Sequence, residues 1–450
     1  MRWNRALKGV STAALVGAQL ALIPGLATAT EGSGVDRVVG AYFGNWDIYD
    51  RGYFVKDIPA AKLNTIFYAF AAPTRDGTCG LLDAQADYKL RFEASKTVSG
   101  VADSPSDPIG GNFNQLVQLK ALHPNLKVVI SIGGWSKSTY FSDVAAADAT
   151  RKRFVASCVD LFIKGNLNDP SVPDDGRGAI KGLFDGIDID WEYPSVDPGN
   201  GAHHGAGDAA NATALFEELR AQLDAEGAAD NKHYLLTAAV LAGSDAGTFF
   251  ELAKLAGILD YMNVMTYDFH GSWDGYAAFN SPLFGEPADP TSANPTGNTI
   301  GTIVYYLQQG VPANRMNVGV PFYGNEYDDV AATNHGLYQP AKPAATQPDY
   351  HSLIDVTGIV KPEGGAQKGF EQFWSWSTGE PYLYGPDMAS IGKPGAAGRG
   401  VFVSYENPFS IFERAMLVRF LGLRGIFAWE LSCDSNDAAL TTAMGSGLLP

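Results

Sequence analysis

The stretch FDGIDIDWEYP, from Phe184 to Pro194, decides how this sequence folds. Its acidic residues Asp188, Asp190 and Glu192 occupy alternate positions, with large apolar residues between them. Successive side chains of a β-strand point to opposite faces, so a strand here turns the three carboxylates to one face. Carboxylates crowded on an apolar strand repel one another and are costly to take out of water. Such a cluster indicates proton chemistry rather than a gain in folding stability.

Two other interpretations of this stretch are a solvated strand face and a cation site. Acids on a solvent-facing strand usually alternate with basic or hydroxyl residues, but this stretch contains no basic residue. A calcium loop of the EF-hand type needs glycine at its sixth position, and counting from Asp188 puts Tyr193 there. A site for another hard cation with oxygen ligands stays open as the alternative. The preferred interpretation requires no metal and no cofactor.

Eight short apolar runs with the character of strands lie along the chain, and most are followed by a loop and a helical pattern. Continuous apolar strands that alternate with helices indicate a parallel sheet buried on both faces. Eight such units predict an α/β fold, the (β/α)8 TIM barrel. A doubly wound open sheet is the competing architecture, but no GxGxxG motif follows the first run. The runs begin near Val38, Leu63, Lys127, Leu183, Tyr234, Asp260, Met316 and Gly425.

The predicted barrel brings residues that are distant in sequence to one place. Barrel active sites are built at the carboxyl ends of the strands. Asp190 and Glu192 end the fourth predicted strand. Ser131, Tyr267 and Trp429 fall at or near the ends of other strands. We therefore expect these side chains to meet at one mouth of the barrel.

Two connections are longer than a barrel needs. Residues 72–126 contain clusters of Gly, Asp and Pro and are predicted to form a long loop or hairpin beside the cleft. A second connection, of about 80 residues between Phe322 and Phe402, is far longer than one crossover helix requires. The predicted domains are therefore a catalytic barrel over residues 30–450 and, within it, an insertion at 324–401. A surface excursion without a binding role is the alternative for the insertion.

The first residues have the pattern of a secretory signal. Arg2, Arg5 and Lys8 precede an apolar stretch from about Gly9 to Leu26, and residues 27–29 match an A-x-A cleavage site. The sequence thus predicts a signal peptide over residues 1–29 and a secreted, extracellular protein. A membrane anchor is the alternative, although polar residues interrupt a stretch that is barely long enough to span a bilayer.

The chain is strongly acidic. Its formal net charge is −17, and removal of residues 1–29, which contain three basic and no acidic residues, makes it −20. An acidic surface repels nucleic acid and anionic membranes, so neither is an expected partner. The charge suits a neutral polymer or simple solubility and does not identify a substrate.

The cysteine count excludes a disulfide scaffold. Cys79, Cys158 and Cys433 are an odd number, so at least one thiol is unpaired. Cys158 lies in an apolar helical pattern and is a predicted core residue. A bridge between Cys79 and Cys433 stays open.

Four motifs together resemble one known family. The acidic stretch resembles the signature of glycoside hydrolase family 18, DxxDxDxE, and continues through DWEYP. The resemblance is greatest to secreted bacterial chitinases. It implies a small α+β insertion at 324–401 that forms one wall of a substrate groove. The matching residues are Asp185, Asp188, Asp190 and Glu192, with SIGGW at Ser131–Trp135, MTYD at Met265–Asp268 and FAWE at Phe427–Glu430.

The resemblance implies a retaining mechanism in which the sugar supplies its own nucleophile. Glu192 would protonate the glycosidic oxygen, and the 2-acetamido oxygen would attack C1 of its own sugar to give an oxazolinium intermediate. Asp190 would hydrogen-bond the acetamido N–H. Asp188 would share a proton with Asp190, so the acids would titrate as a coupled set. Tyr267 would donate its hydroxyl to the acetamido oxygen.

Two further residues are expected to support the acids. The position of Asp185 in the strand has the opposite parity to the other three acids, which indicates a structural carboxylate near the barrel core. Ser131 is expected to hydrogen-bond within the acid cluster, and a role in the turn beside Gly133 and Gly134 is the alternative.

Aromatic residues are the expected sugar-binding surface, because the apolar C–H faces of pyranose rings pack on flat rings. The resemblance places Trp429 beneath the distorted sugar and Trp273 on the leaving-group side. After the seventh strand many relatives read YGRGW where this chain reads YGNEY, Tyr323–Tyr327, so a basic contact expected there has no counterpart. The remaining predicted substrate-binding residues are Tyr42, Trp135, Tyr323, Asp268 and Met265.

Three hypotheses for function follow from these residues. The first is a secreted chitinase that cleaves β-1,4 bonds between N-acetylglucosamine units of chitin and chito-oligosaccharides, acting as a monomer. The second is an endo-β-N-acetylglucosaminidase acting on N-glycans by the same acetamido chemistry. The third is an inactive chitin-binding lectin, which would typically have lost the acid. The DWEYP run and the long insertion favour the first, and the presence of Glu192 counts against the third.

Overall fold

A computed structural model describes residues 36–343, 347–393, 395 and 398–449 of the chain. The predicted signal peptide, residues 1–29, lies outside these residues. No helix in the described ranges is both long enough and apolar enough to cross a bilayer. The strands are, in chain order, β1 Val38–Gly44, β2 Thr65–Pro73, β3 Cys79–Leu81, β4 Lys127–Gly133, β5 Gly186–Asp190, β6 Leu235–Leu241, β7 Tyr261–Met265, β8 Met316–Pro321, β9 Asn325–Ala331, β10 Lys342–Pro343, β11 Glu371–Ser375, β12 Glu380–Gly385, β13 Arg399–Ser404 and β14 Gly425–Trp429.

Eight of these strands close into a parallel barrel. Their order is β1, β2, β4, β5, β6, β7, β8 and β14, and β14 pairs with β1 to complete the ring. The short strand β3 adds an antiparallel pairing to the end of β2. All eight begin within three residues of the predicted starts, so the predicted TIM barrel is confirmed.

Helices follow most of the barrel strands and cover the outside of the ring. Their ends show why the sequence forms them: Asn407 accepts hydrogen bonds from the N–H groups of Phe409 and Ser410 to begin one helix, and Gly422, with φ of 66°, ends it. The α-helices of the described residues are α1 Gly111–Leu122, α2 Phe141–Ala145, α3 Asp148–Cys158, α4 Asp208–Asp230, α5 Ala246–Phe249, α6 Leu252–Ile258, α7 Thr299–Gln308, α8 Pro408–Leu421 and α9 Ala439–Gly445.

Strand β5 has the predicted alternation. Ile187 and Ile189 pack outward in the apolar layer between barrel and helices, where Trp191 stacks on Phe141 with ring centroids 5.3 Å apart. Asp188 lies on the opposite face, inside the ring, with its side chain fully buried. The sequence of β5 therefore directs its acids to the barrel interior and its apolar residues to the helices.

The long connection between β8 and β14 contains a second sheet. This sheet is antiparallel and has the order β10, β9, β13, β12, β11. Between β9 and β13 the described helical segments are short 3-10 or π turns, at Thr333–Gly336, Ser352–Val356 and Met388–Ile391. One face of the sheet packs on Ala277 and Phe279 in the connection after β7. That residues 324–401 form a separate α+β domain stays a prediction.

Candidate active site

Four donors from four different strands surround Asp188. Its Oδ2 accepts hydrogen bonds of 2.8 Å from the hydroxyls of Tyr42 on β1 and Ser131 on β4. Its Oδ1 accepts a hydrogen bond of 2.6 Å from the hydroxyl of Thr237 on β6 and one of 3.3 Å from the amide of Asn263 on β7. Burial raises the pKa of Asp188, and these hydrogen bonds oppose that rise. The predicted contact between Ser131 and the acid cluster is thus present.

Asp190, two residues further along β5, has a different environment. Its Oδ1 is buried and has no hydrogen-bond partner among the described residues. Burial, followed by the charges of Glu192 and Asp188, raises the pKa of Asp190 well above its ordinary value. Asp190 is therefore poised to remain neutral, or to accept a donor that the protein itself does not supply. The predicted sharing of a proton between Asp188 and Asp190 stays a prediction.

Glu192 follows the end of β5 at the barrel mouth. Its backbone N–H donates a hydrogen bond of 2.9 Å to the hydroxyl of Ser138, and its carbonyl accepts one of 2.9 Å from the amide of Asn200. These two hydrogen bonds fix the main chain at Glu192. Burial, together with the charge of Asp268, raises the pKa of Glu192 to about 7, and a hydrogen bond from Tyr193 opposes the rise. A carboxyl with this pKa can donate a proton near neutral pH.

Asp185 lies at the opposite end of β5 from Glu192. Its carboxylate accepts hydrogen bonds of 2.8 Å from both Lys120 and Lys232, and 2.9 Å from the backbone N–H of Val128. Burial acts to raise the pKa of Asp185, but the two lysines and the backbone hydrogen bond hold it below the ordinary value. This arrangement agrees with the structural role predicted for Asp185.

The end of β7 contributes a second group of polar side chains. Tyr323 donates its hydroxyl to Oδ1 of Asp268 at 2.7 Å, and the backbone N–H of Asp268 donates to Oδ1 of Asn280 at 3.0 Å. Tyr267 packs edge-on against Tyr323 with centroids 6.2 Å apart. Burial, then the charges of Asp190 and Asp268, raises the pKa of the Tyr267 hydroxyl, so it stays protonated and able to donate. Asp268 itself is exposed.

Trp429 ends β14 and belongs to a cluster of aromatic rings. It stacks on Phe70 with centroids 5.7 Å apart and an interplanar angle of 20°, and it contacts Tyr42 and Trp46 at 5.3 and 6.4 Å. Tyr42 is only 1% exposed and lies inside the barrel, where its hydroxyl holds Asp188. Contact of Tyr42 with a sugar stays a prediction, and its structural place is that of a support for the acids.

The other predicted binding residues differ in exposure. Trp135 and Trp273 are 51% and 64% exposed, which leaves their faces open for a ligand. Met265 is half-buried at the end of β7, packed against the aromatic cluster that contains Tyr267 and Trp429. Contact of these side chains with a sugar stays a prediction.

Several residues of the site were not found from the sequence. Thr237 and Asn263 are single polar residues in the apolar runs YLLTAAV and DYMNVMTY, at the parity that faces the barrel interior. A single polar residue facing the interior of an otherwise apolar strand is the sequence signal that could have identified both. Asn280, which positions Asp268 and also donates to the carbonyl of Tyr323 at 3.3 Å, lies in an irregular connection whose path has no sequence pattern.

A buried pair of carboxyls behind Trp429 was also missed. Glu430 accepts a hydrogen bond of 2.6 Å from the hydroxyl of Ser432, and Asp47 accepts one of 3.0 Å from the backbone N–H of Gly44. The second oxygen of each carboxyl is buried without a hydrogen-bond partner among the described residues. Burial, followed by the charge of Glu430, raises the pKa of Asp47 to about 9. Asp47 is thus expected to be neutral at neutral pH, because its burial and the nearby charge of Glu430 both disfavour ionisation.

Cation binding was the alternative interpretation of the acids. In the part of the chain that the structure describes, no group of three or more His, Cys, Asp or Glu side chains is arranged to hold a metal ion. The four donors around Asp188 occupy both of its oxygens, which leaves the carboxylate satisfied without a cation. The arrangement as a whole suits proton transfer.

Comparison with known proteins agrees with this geometry. The sequence profile described as Glycosyl hydrolases family 18 matches residues 38–434. Chitinase A1 of Niallia circulans is 34% identical over 425 residues, which are 89% of this chain and 57% of that protein. Chitinase 1 of Aphanocladium album is 31% identical over 420 residues, 92% of this chain and 85% of that protein.

Solved structures give the same result. The catalytic domain of psychrophilic chitinase B from Arthrobacter TAD20 has a TM-score of 0.79 and 31% identity, and the match covers 93% of this chain and 97% of that domain. The barrel and its carboxylates define the class of TIM-barrel glycoside hydrolases. The chain belongs to glycoside hydrolase family 18. It spans only 57% of the length of the Niallia circulans relative.

Proposed function

We propose that this protein is a chitinase that hydrolyses β-1,4 bonds between N-acetylglucosamine units in chitin and chito-oligosaccharides. Catalysis retains the anomeric configuration and proceeds through an oxazolinium intermediate formed by the substrate. The three relatives compared above are named as chitinases, which supports this assignment. No metal or cofactor takes part in the proposed reaction.

The observation that carries the proposal is the unpartnered Oδ1 of Asp190 beside Glu192. A buried carboxyl oxygen without a donor is costly, and a substrate that brings an N–H to it removes that cost. The acetamido group of N-acetylglucosamine brings such an N–H and, on the other side, the carbonyl oxygen that attacks C1. The pKa of Glu192, about 7, supplies the proton donor that the departing sugar needs.

The reaction has two steps. Glu192 protonates the glycosidic oxygen while the acetamido oxygen bonds to C1, and the bond to the leaving sugar breaks. Asp190 shares a proton with Asp188, so the two acids together keep one negative charge, which balances the positive charge of the ring. Asp190 accepts a hydrogen bond from the acetamido N–H. Tyr267 donates its hydroxyl to the acetamido oxygen. In the second step Glu192 takes a proton from water, which opens the intermediate from the opposite face of the ring.

Aromatic and polar side chains around the acids are the proposed sugar contacts. Trp429 forms the platform beneath the reacting sugar, and its stacking on Phe70 holds that platform in place. Trp135 and Trp273 extend the groove, because both present exposed faces. Asp268 and Tyr323, joined by their hydrogen bond, contact hydroxyls of the sugar.

Replacement of Glu192 by Gln tests the assignment. Glu192→Gln removes only the transferable proton and keeps the shape, so hydrolysis of chitin hexamer is expected to fall by about 10³-fold or more while binding survives. Glu217→Gln on the exposed face of α4 is the matched control and is expected to keep full turnover. Unchanged turnover in Glu192→Gln would overturn the assignment.

A substrate panel separates the three hypotheses. A chitinase releases short oligomers from chitin hexamer and leaves N-glycans intact, whereas an endo-β-N-acetylglucosaminidase cleaves the chitobiose core of glycoproteins. A lectin binds the hexamer and releases nothing. Cleavage of N-glycans without cleavage of chitin hexamer would overturn the proposal and support the endo-β-N-acetylglucosaminidase hypothesis.

Secretion and the monomeric state are further parts of the proposal. The signal pattern of residues 1–29 supports export, after which the chain would start at Thr30. N-terminal sequencing of protein recovered from culture medium tests the cleavage. Light scattering of the same material tests the monomer, for which the expected mass is that of one chain.

A further inference from the structure

Two of the three cysteines lie where β3, in the long connection after β2, packs on α3. Cys79 begins β3, and Cys158 ends α3. The backbone N–H of Cys79 donates a hydrogen bond of 2.8 Å to the hydroxyl of Ser157, the residue before Cys158. That hydroxyl donates in turn a hydrogen bond of 2.6 Å to the carbonyl of Phe154. Burial, followed by the interaction with Cys79, raises the pKa of the Cys158 thiol well above its ordinary value. Cys79 and Cys158 therefore lie in one apolar core, on elements that a hydrogen bond joins.

We propose that Cys79 and Cys158 form a disulfide bond in an oxidising environment and that Cys433 remains a free thiol. Both cysteines of the pair lie in the same apolar core, where Cys79 is 9% and Cys158 is 0% exposed. Both are free thiols in the structure, which is the reduced form. The bond would fasten β3, and with it the long connection, to the outer helix α3.

Oxidation requires an electron acceptor, which is a low-molecular-weight disulfide or a thiol oxidase of the exporting cell. Cys79 is the more accessible thiol, so its thiolate attacks the sulfur–sulfur bond of the acceptor and releases one thiol. The thiolate of Cys158 then attacks the Cys79 sulfur of this mixed disulfide and releases the second thiol. The acceptor gains two electrons, and the two cysteine protons end on the released thiols. Burial raises the pKa of the Cys158 thiol, so the second attack is the slow one.

Cys433 has a different environment. It ends a short turn after β14, and its Sγ lies 3.8 Å from Oε1 of Glu430. Burial, and then the charges of Glu430 and Asp349, raises the pKa of this thiol well above its ordinary value. The sulfur of Cys433 thus contacts Glu430, whereas Cys79 is hydrogen-bonded to the residue before Cys158. These contacts favour the pairing of Cys79 with Cys158 over the bridge between Cys79 and Cys433 that the sequence left open.

Differential alkylation of the wild-type chain is the primary test. The protein is reduced, equilibrated with oxidised glutathione, unfolded in guanidinium with iodoacetamide, digested and analysed by mass spectrometry. We expect the peptide of Cys433 to be alkylated before reduction, and the peptides of Cys79 and Cys158 to be found joined until reductant is added. Alkylation of all three cysteines before reduction, or a cross-link that contains Cys433, overturns the proposal. The readout needs no enzymatic activity, so it is independent of the proposed function.

Three alanine variants give a second readout. The disulfide closes a long loop and restricts the unfolded chain, so reduction is expected to lower the thermal midpoint of the wild type by roughly 5 °C. The same shift is expected in Cys433→Ala, the matched control, and no shift in Cys79→Ala or Cys158→Ala. A shift that persists in either of the last two variants counts against the pairing. Should those two variants fail to fold, the alkylation pattern of the wild type decides alone.

Discussion

Thr237 and Asp188 are register partners on adjacent strands, and the hydroxyl of Thr237 donates 2.6 Å to Oδ1 of the buried carboxyl. Their positions on neighbouring strands fix both the distance and the direction of this hydrogen bond. Thr237 thus belongs to the machinery that orients the acids, although it cannot transfer a proton to the substrate. Ser131 on β4 is the register partner of Asp188 on its other side, and Tyr42 and Asn263 reach Asp188 from β1 and β7, which do not neighbour β5.

Thr237→Val tests this support. Valine keeps the shape but removes one hydrogen-bond donor from a buried carboxylate. The free energy of unfolding, measured in urea, is therefore expected to fall by about 2 kcal/mol. We also expect kcat to fall, because Asp188 loses its fixed orientation. Thr237→Ser restores the hydroxyl and is expected to recover most of both losses. Equal behaviour of the valine and serine variants would show that the hydrogen bond has no role.

The activity is expected to decline above pH 7. Glu192 must be protonated to donate, and its pKa of about 7 means that the active form is present below this pH and disappears above it. The charge of Asp268 contributes to the raised pKa. Asp268→Asn removes that charge, so the alkaline limb of the kcat/KM profile is expected to move to lower pH. A limb that stays in place or moves upward in this variant would contradict the coupling between Asp268 and Glu192.

His270 is expected to stabilise the fold at neutral pH and to stop doing so in alkali. Burial acts to lower its pKa, but contacts of 3.1 Å with Asp274 and 2.9 Å with Asp289 raise it from 6.5 to about 9. The folded-state pKa exceeds the unfolded value, so the stabilisation is complete below pH 6.5 and is lost as pH rises through 9. It amounts to roughly 3 kcal/mol.

Urea unfolding between pH 6 and 10 checks the role of His270. His270→Gln keeps a hydrogen-bonding side chain without the charge, and we expect its free energy of unfolding to change less between pH 6.5 and 9 than that of the wild type. The half-buried His123 forms no ion pair among the described residues and is the matched control, so His123→Gln is expected to follow the wild-type curve. A wild-type curve that is flat across this range would refute the prediction.

Asp185→Asn is expected to affect stability and leave chemistry intact. The substitution uncouples Lys120 and Lys232 from a buried carboxylate, which should cost about 2 kcal/mol because both lysines are partly exposed. The kcat of the folded protein is expected to stay within about twofold of the wild type, since Asp185 lies at the far end of β5 from Glu192. A large fall in kcat at unchanged stability would contradict the structural role and place Asp185 among the catalytic acids.

The fold could largely be predicted from the sequence, because β5 and its neighbours are continuous apolar runs. The alternation of residues along each run decides which side chains point into the barrel. Asp188 and Ser131 met as expected, since both lie on adjacent paired strands. Asn280 could not be found, because it reaches Asp268 from an irregular connection. The contact of Cys79 with Cys158 depends on how β3 turns over α3, which no periodicity encodes.

The interior position of Tyr42 shows a different limit. Its residue type and its place on a strand fit a sugar platform as well as a buried donor, and only the packing of Phe67 and Phe427 around it decides between them. Both readings are chemically sensible for a tyrosine. A side chain that can serve as a wall or as a support cannot be assigned from its type alone.

The central claim is that the acetamido group of the substrate is the nucleophile, with Glu192 as the proton donor. The most direct test is to digest partially acetylated chitosan and identify the sugar at each newly formed reducing end. The mechanism predicts N-acetylglucosamine at every new reducing end, because only an acetylated sugar can attack its own C1. Glucosamine at a substantial share of those ends would contradict the claim.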